Sequence, residues 1–253
     1  MIGHEMFGSG PSRVIVLHDW ICDTSTWDGM RPYLDRDRFT WAFTDLRGYG
    51  RSMGQRGRFD LTEAAADVIE VADALGWGRF AIVGHSMSTL VALHLAQHAP
   101  DRIERAIVLT PPPPSGFGAD DATLDRLRAV ARGDDAARTR ALRVLWGERL
   151  SEQWIRFKAA RWRACADAEA VAGYVAMFGC DGLHDPTAKT AVPVLAVTGE
   201  QDAEAMRRDA VTKLLAPICE ALVVTPLVDC GHYPMQETPP LLATIVERFL
   251  AGA

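Results

Sequence analysis

The chain has 253 residues, of which 48% are hydrophobic, and this length suffices for one large α/β domain or two small ones. The net charge of −6 is mild and spread along the chain, which argues against nucleic-acid binding, and no apolar run is long enough to span a membrane. Five widely spaced cysteines without a C-x-x-C pair argue against a zinc site or a disulfide scaffold. The N-terminus lacks the apolar core of a signal peptide, and this absence together with the cysteine pattern predicts a reduced, cytoplasmic protein.

Short apolar runs alternate with amphipathic segments along much of the chain. The runs lack the alternation of apolar and polar residues, as strands covered on both faces do. They lie at 14–17, 41–44, 80–83, 106–109, 194–198 and 222–226. Helical patterns at 61–75, 89–98 and 240–250 follow some of them. This order predicts a mostly parallel, doubly wound α/β sheet.

The alternation breaks between the fourth and fifth apolar runs. Four helical patterns without a flanking strand occupy that span, at about 121–132, 136–146, 151–164 and 167–178. Four consecutive prolines at 111–114 open it and predict an extended exit from the sheet. We therefore expect a core domain of residues 1–110 and 191–253, with a four-helix cap of residues 111–190 inserted between two strands.

The stretch GHSMS, residues 84–88, lies where an apolar run changes directly into a helical pattern. Such a tight strand-to-helix reversal needs small residues two before and two after its middle residue. Gly84 and Ser88 meet this demand around Ser86, whereas Leu90 is too large for a turn centred on Ser88. The spacing favours Ser86 as a nucleophile. The alternative is that Ser86 only caps the following helix.

Five motifs in this order resemble the α/β-hydrolase superfamily, and the resemblance covers almost the whole chain. They are HDW at 18–20, DLRGYGRS at 45–52, GHSMS at 84–88, GEQD at 199–202 and GHYPMQETP at 231–239. The resemblance implies an α/β-hydrolase fold and a serine nucleophile that is activated by a histidine and a carboxylate, in the chain order Ser, Asp/Glu, His.

Among seven histidines, His232 is the predicted base because it follows the last apolar run and precedes the final helix. Asp202 is the predicted acid, since it stands in the short turn after 194–198, where it can orient the histidine ring. Asp229 lies three residues before His232 and is an alternative candidate for the acid, but we expect it to be an ordinary loop carboxylate. His94 and His98 have the spacing of a metal pair on a helix, but no third ligand is evident, and we expect neither a metal nor a cofactor.

Acyl transfer needs two N–H donors directed at the developing oxyanion. We expect one from the backbone of Met87, and the resemblance implies a second from Trp20, with the backbone of Asp19 as the alternative. The family usually has glycine where this chain has Asp19. A carboxylate that pointed into the hole would oppose an anionic intermediate, so we expect Asp19 to point away and to bond local backbone.

The cap patterns are rich in aromatic residues, which predicts a mainly apolar pocket. The expected substrate contacts are Trp20, His85, Trp146, Trp154 and Trp162. The leading hypothesis is a monomeric or homodimeric serine hydrolase of the carboxylesterase type that cleaves a small-to-medium hydrophobic ester or lactone. The alternatives are a carbon–carbon bond hydrolase of aromatic degradation, a perhydrolase, and a small-molecule receptor with slow hydrolase activity. Receptors that resemble this chain have the sequence G-H-S-V-S at the same turn, so they share the serine found here at position 88.

Overall fold

A seven-stranded sheet forms the centre of the protein, in a computed structural model that describes residues 1–146 and 149–252. The strands are β1 His4–Gly8, β2 Ser12–Leu17, β3 Phe39–Thr44, β4 Phe80–His85, β5 Ile103–Leu109, β6 Val194–Gly199 and β7 Leu222–Leu227. Their order is β1-β3-β2-β4-β5-β6-β7, and all neighbours are parallel except β1 and β3. The predicted mostly parallel α/β-hydrolase sheet is confirmed. The edge strand β1 was not predicted, because its short run has no distinct apolar pattern.

The central strands carry apolar residues on both faces. In β4, Ile82 packs into one core layer, while its neighbours Ala81 and Val83 pack into the layer on the opposite face. All six residues of β4 and all six of β6 are buried. The absence of alternation in these runs thus follows from helices that cover both faces of the sheet.

Nine α-helices surround the sheet within the described residues. They are α1 Leu61–Ala74, α2 Ser88–His98, α3 Asp121–Arg132, α4 Asp135–Trp146, α5 Glu152–Cys165, α6 Ala168–Ala176, α7 Arg208–Leu215, α8 Pro234–Glu237 and α9 Pro239–Leu250. Helices α3 to α6 form the insertion between β5 and β6, where α3 packs against α6 and α4 against α5. None of these nine is both long and apolar enough to cross a membrane. The division into a core and a cap domain stays a prediction.

The residues that the sequence motifs identified lie in loops at one edge of the sheet. Because β2, β4, β6 and β7 are parallel, their carboxyl ends lie at the same edge. Asp19 follows β2, Ser86 follows β4, Asp202 follows β6 and His232 follows β7. An edge of this kind is where open α/β sheets place their ligands.

Candidate active site

The turn from β4 to α2 holds Ser86 in the left-handed region, with φ of 54°. A non-glycine residue adopts this conformation only where its surroundings enforce it. Here strand and helix nearly touch, since a Cβ on Gly84 would lie 2.5 Å from the backbone oxygen of Ser88. Glycine is therefore required at position 84, and the turn presents the Ser86 side chain away from the sheet.

Ser88 is fully buried and braces this turn. Its Oγ accepts a hydrogen bond from the His85 backbone N–H at 2.9 Å, and its hydroxyl donates to the His85 carbonyl at 3.0 Å. A glycine at this position would have neither bond. Serine thus replaces the usual glycine of the motif without opening the turn.

Three side chains form a hydrogen-bonded chain at the sheet edge. Nε2 of His232 lies 3.0 Å from Oγ of Ser86, and Nδ1 of His232 lies 2.7 Å from Oδ2 of Asp202. The other carboxylate oxygen of Asp202 accepts from the Ala203 backbone N–H at 2.7 Å. The carboxylate therefore selects the tautomer with a proton on Nδ1, which leaves Nε2 free to accept the proton of the Ser86 hydroxyl.

Charge and burial act in opposite directions on His232. Burial disfavours the protonated ring, but the neighbouring charge and hydrogen bond of Asp202 outweigh burial and raise the pKa of His232 above its ordinary 6.5. Burial likewise opposes ionisation of Asp202, yet the contact with His232 holds the pKa of that carboxyl below its usual range. This pairing prepares the ring to receive a proton.

A largely apolar cavity of about 320 Å³ opens onto Ser86 and His232. Its apolar lining comes mainly from the insertion and includes Pro112, Phe117, Leu127, Trp146 and Phe178. A depression of about 840 Å³ along α7 and β7 is larger but shares no lining residue with this cavity and is bordered by charged side chains such as Arg208 and Asp209. The smaller cavity is thus the one next to the reactive groups.

Comparisons with known proteins identify the family of this fold. Residues 13–203 match the α/β-hydrolase fold family. The chain belongs to that family. It resembles the pimeloyl-[acyl-carrier protein] methyl ester esterase of Nitrosomonas europaea, at 32% identity over 126 residues, which is 47% of this chain and 47% of that protein. The matched part therefore spans less than half of that relative.

Solved structures share the fold over nearly the full chain. A hydrolase from Oleispira antarctica superposes with a TM-score of 0.85 at 20% identity and covers 100% of this chain and 95% of its own. An enol-lactonase from Burkholderia xenovorans superposes with a TM-score of 0.81 at 21% identity and covers 99% of this chain and 96% of its own. At such low sequence identities, these similarities establish only the fold of this hydrolase.

Two of the predicted substrate contacts, Trp20 and Trp146, line the cavity. The Trp20 indole N–H donates to the Val171 carbonyl at 2.7 Å, which fixes its ring against the insertion. The Trp146 ring lies 5.7 Å from the His232 ring, between centroids. Phe178, whose ring lies 5.2 Å from that of Trp20, completes this aromatic wall. It is one of the aromatic residues of the cap patterns but was not among the predicted substrate contacts.

The side chains of the three other predicted contacts do not line the cavity, and their role as substrate contacts stays a prediction. Trp162 is buried behind Trp20, with ring centroids 5.5 Å apart. Trp154 donates from Nε1 to Gln236 at 3.1 Å and lines a separate surface depression. The side that each helix turns toward the cavity depends on its rotation in the packed insertion, which the aromatic pattern alone does not reveal.

His85 is the third of these residues and is fully buried. Its Nε2–H donates to the His232 carbonyl at 2.7 Å, so it braces the loop that carries the candidate base. Burial is the largest influence on this ring and lowers the pKa of His85 to about 3. His85 therefore stays neutral and acts as a fixed donor.

The two N–H groups expected to bind an oxyanion belong to Met87 and Trp20. Neither donates a backbone hydrogen bond to another residue in the described ranges 1–146 and 149–252. The Asp19 carbonyl, which shares a peptide group with the Trp20 N–H, accepts from Nδ1 of His18 at 2.7 Å, and this bond fixes the orientation of that N–H. Their role as oxyanion donors stays a prediction.

Asp19 does not behave as expected from the sequence. It is buried and lines the cavity, and its Oδ2 accepts from the Tyr233 hydroxyl at 2.6 Å instead of from local backbone. Its φ is not positive, so the conformational freedom of glycine is not needed here. Burial opposes its ionisation, but the charge of Lys158 and the hydrogen bond from Tyr233 outweigh burial and lower the pKa of Asp19.

Lys158 of α5 is fully buried beside this carboxylate, and sequence reasoning missed it. Its Nζ lies 3.7 Å from the centre of the Tyr233 ring and donates to Sγ of Cys22 at 2.9 Å. A lysine within an amphipathic helical pattern ordinarily points to solvent. Nothing in the local sequence around position 158 distinguishes it from such a lysine.

Glu237 holds the loop that carries His232. Its two carboxylate oxygens accept from the backbone N–H groups of Gly231 at 2.8 Å and Tyr233 at 3.0 Å, on either side of His232. An ion pair with Arg149 completes its contacts. The sequence motif contains this residue, but its acceptor role emerged only from the folded loop.

The histidine pair considered from the sequence forms no metal centre in the described ranges. His94 and His98 stack with ring centroids 4.3 Å apart. No group of three or more histidine, cysteine, aspartate or glutamate side chains suited to hold a metal ion occurs among residues 1–146 and 149–252.

Proposed function

We propose that this α/β-hydrolase is a serine hydrolase of the carboxylesterase type, with Ser86 as nucleophile, His232 as general base and Asp202 as its orienting acid. The observation that carries the proposal is the continuous hydrogen-bonded chain from Ser86 through His232 to Asp202 at the mouth of the cavity. The strained backbone of Ser86 adds to it, because strain of this kind accumulates at functional sites.

The reaction follows from the direction of each hydrogen bond. Ser86 Oγ attacks the substrate carbonyl carbon while Nε2 of His232 takes the hydroxyl proton. The backbone N–H groups of Met87 and Trp20 bind the oxyanion, and the protonated His232 then delivers its proton to the leaving alcohol. Water activated by His232 finally hydrolyses the acyl-enzyme and restores Ser86.

The cavity supports a small-to-medium hydrophobic ester or lactone as substrate. Its volume of about 320 Å³ lies at the small end of ligand pockets, and aromatic side chains form much of its wall. The names of two similar proteins, a methyl ester esterase and an enol-lactonase, indicate the same two bond types. We further propose that helices α3 to α6 act as a cap and that the protein works in the cytoplasm, which its five unpaired cysteines favour.

The test is a panel of short 4-nitrophenyl esters, lactones and ring-cleavage diketones, offered to the wild type, Ser86→Ala and Ser88→Ala. We expect Ser86→Ala to lose essentially all turnover and labelling by a fluorophosphonate. Ser88→Ala removes two bonds within the turn, so it should unfold at a lower temperature yet keep most turnover. An active Ser86→Ala with an inactive Ser88→Ala would refute the assignment.

The same panel separates the reaction classes. Repeated turnover of esters or lactones supports the proposal, and preferential cleavage of diketones would identify a carbon–carbon bond hydrolase instead. A single slow turnover accompanied by a change in thermal stability would indicate a receptor.

A further inference from the structure

A buried carboxylate lies next to the place where the proposed reaction develops negative charge. Asp19 is 2% exposed, lines the cavity and directly precedes Trp20, the proposed oxyanion donor. A negative charge in the lining of the same cavity would raise the energy of an oxyanion, and the apolar surroundings would strengthen that repulsion. The structure therefore needs a feature that offsets the charge of Asp19.

Lys158 supplies that feature from the insertion. Its side chain is fully buried, and its ammonium lies over the Tyr233 ring, whose hydroxyl donates to Asp19. Buried lysine and aspartate side chains are rare unless paired, because removing a charge from water is costly. Tyr233 thus separates the two charges by one aromatic ring and contacts both.

The contacts of Lys158 hold it in this place. Nζ donates to Sγ of Cys22 at 2.9 Å, and Cys22 lies in the same loop as Asp19 and Trp20, after β2. Tyr233 directly follows His232. The single Lys158 side chain therefore connects α5 with the loop of the oxyanion site and with the loop of the base.

We propose that Lys158 is a positioning residue for the hydrolytic reaction, whose ammonium, seated on Tyr233 and Cys22, offsets the Asp19 carboxylate that stands where related hydrolases usually have glycine. The inference rests on the proposed function. It makes α5 part of the catalytic apparatus, because only the docked insertion brings this charge to the sheet edge.

The charged and titratable groups around His232 determine how the proposal is tested. Asp202 from the loop after β6 and Asp19 from the loop after β2 favour the protonated ring, whereas Lys158 from α5 opposes it. His85 at the end of β4 lies with its ring 5.2 Å from that of His232 and stays neutral. Changes at Asp19 and at Lys158 should therefore displace the pH profile in opposite directions.

The experiment is a cycle of Lys158→Met, Asp19→Asn and the double variant, with kcat, KM and the pH profile of kcat/KM measured on a 4-nitrophenyl ester. Lys158→Met should lower kcat by about 30- to 300-fold with little change in KM, because the carboxylate then acts unopposed on the transition state. Its profile should rise at higher pH than that of the wild type. Asp19→Asn should shift the profile to lower pH.

The double variant is decisive, because it removes both charges. Its kcat should return to within about tenfold of the wild type. Its unfolding temperature should be higher than that of Lys158→Met, because the double variant no longer contains an unpaired buried charge. The matched control is Lys189→Met, a lysine that is exposed, which should match the wild type in all these measurements.

Each outcome decides the question. If Lys158→Met does not fold while the double variant folds and turns over, the charge pair is supported. If the double variant is as impaired as Lys158→Met, or if kcat and the pH profile of Lys158→Met match the wild type, the inference is wrong. Persistent turnover by Ser86→Ala would instead refute the proposed function itself.

Discussion

Asp202→Asn tests the orientation of the proposed base with a change of almost no volume. Both carboxylate oxygens accept hydrogen bonds, one from Nδ1–H of His232 and one from the Ala203 backbone N–H, each at 2.7 Å. An asparagine must direct its NH₂ group at one of these two donors. If NH₂ faces His232, the ring carries its proton on Nε2 and donates toward Ser86, so it no longer accepts the hydroxyl proton.

The opposite orientation sets NH₂ against the N–H of Ala203 and leaves a buried donor unsatisfied, which costs about 1–3 kcal/mol. The neutral amide also forfeits the attraction between carboxylate and imidazolium, about 4 kcal/mol for unit charges 4 Å apart at an effective dielectric constant of 20. Together these losses amount to roughly 5–7 kcal/mol. At 1.36 kcal/mol per tenfold change, kcat should fall by about 5,000- to 100,000-fold.

The assay is kcat for hydrolysis of a short 4-nitrophenyl ester, with far-ultraviolet circular dichroism and thermal unfolding as checks of folding. The matched control is Asp229→Asn, the same chemical change at an exposed carboxylate three residues before His232, which should leave kcat unchanged. The reasoning would be refuted if folded Asp202→Asn kept more than a tenth of wild-type kcat, or if Asp229→Asn were the inactive variant.

Three further predictions concern His232 and its loop. The base must be neutral to accept a proton, and its pKa is raised above 6.5, so kcat/KM should increase with pH along a limb that lies above pH 6.5. In Asp202→Asn, any residual activity should show this limb at lower pH. A wild-type limb below pH 6.5 would contradict the raised pKa of His232. The same raised pKa means that the contribution of His232 to stability is complete below its unfolded pKa and is lost as pH rises through its folded pKa, which urea titrations across this range can measure. Glu237→Ala removes the acceptor of two backbone N–H groups, so it should lower the free energy of unfolding by about 2–4 kcal/mol and should change kcat more than KM. The control is Glu204→Ala, at an exposed carboxylate, which should leave stability and kinetics unchanged. An unchanged kcat in folded Glu237→Ala would show that the loop holds His232 without this carboxylate.

The sheet and the candidate triad were predictable because their signals are local. Strands buried on both faces read as short apolar runs, and the turn around Ser86 accepts only small residues two positions away on each side. Chain order then leads to Asp202 and His232, since the loops after parallel strands meet at one edge of a sheet. The structure brings these three side chains within hydrogen-bonding distance.

Residues whose role depends on packing between distant elements were not predictable in this way. Trp162 and Trp146 lie in similar helical patterns, but only the rotation of each helix in the packed insertion decides that Trp146 reaches the cavity. Asp19 was expected to bond local backbone, yet its partner is the hydroxyl of Tyr233, 214 residues away along the chain. The sequence alone determined which turns carry reactive groups, because turn geometry is encoded by neighbouring residues. Only the tertiary structure decided that Lys158 lies buried beside Asp19, because that contact exists once α5 docks over the sheet edge.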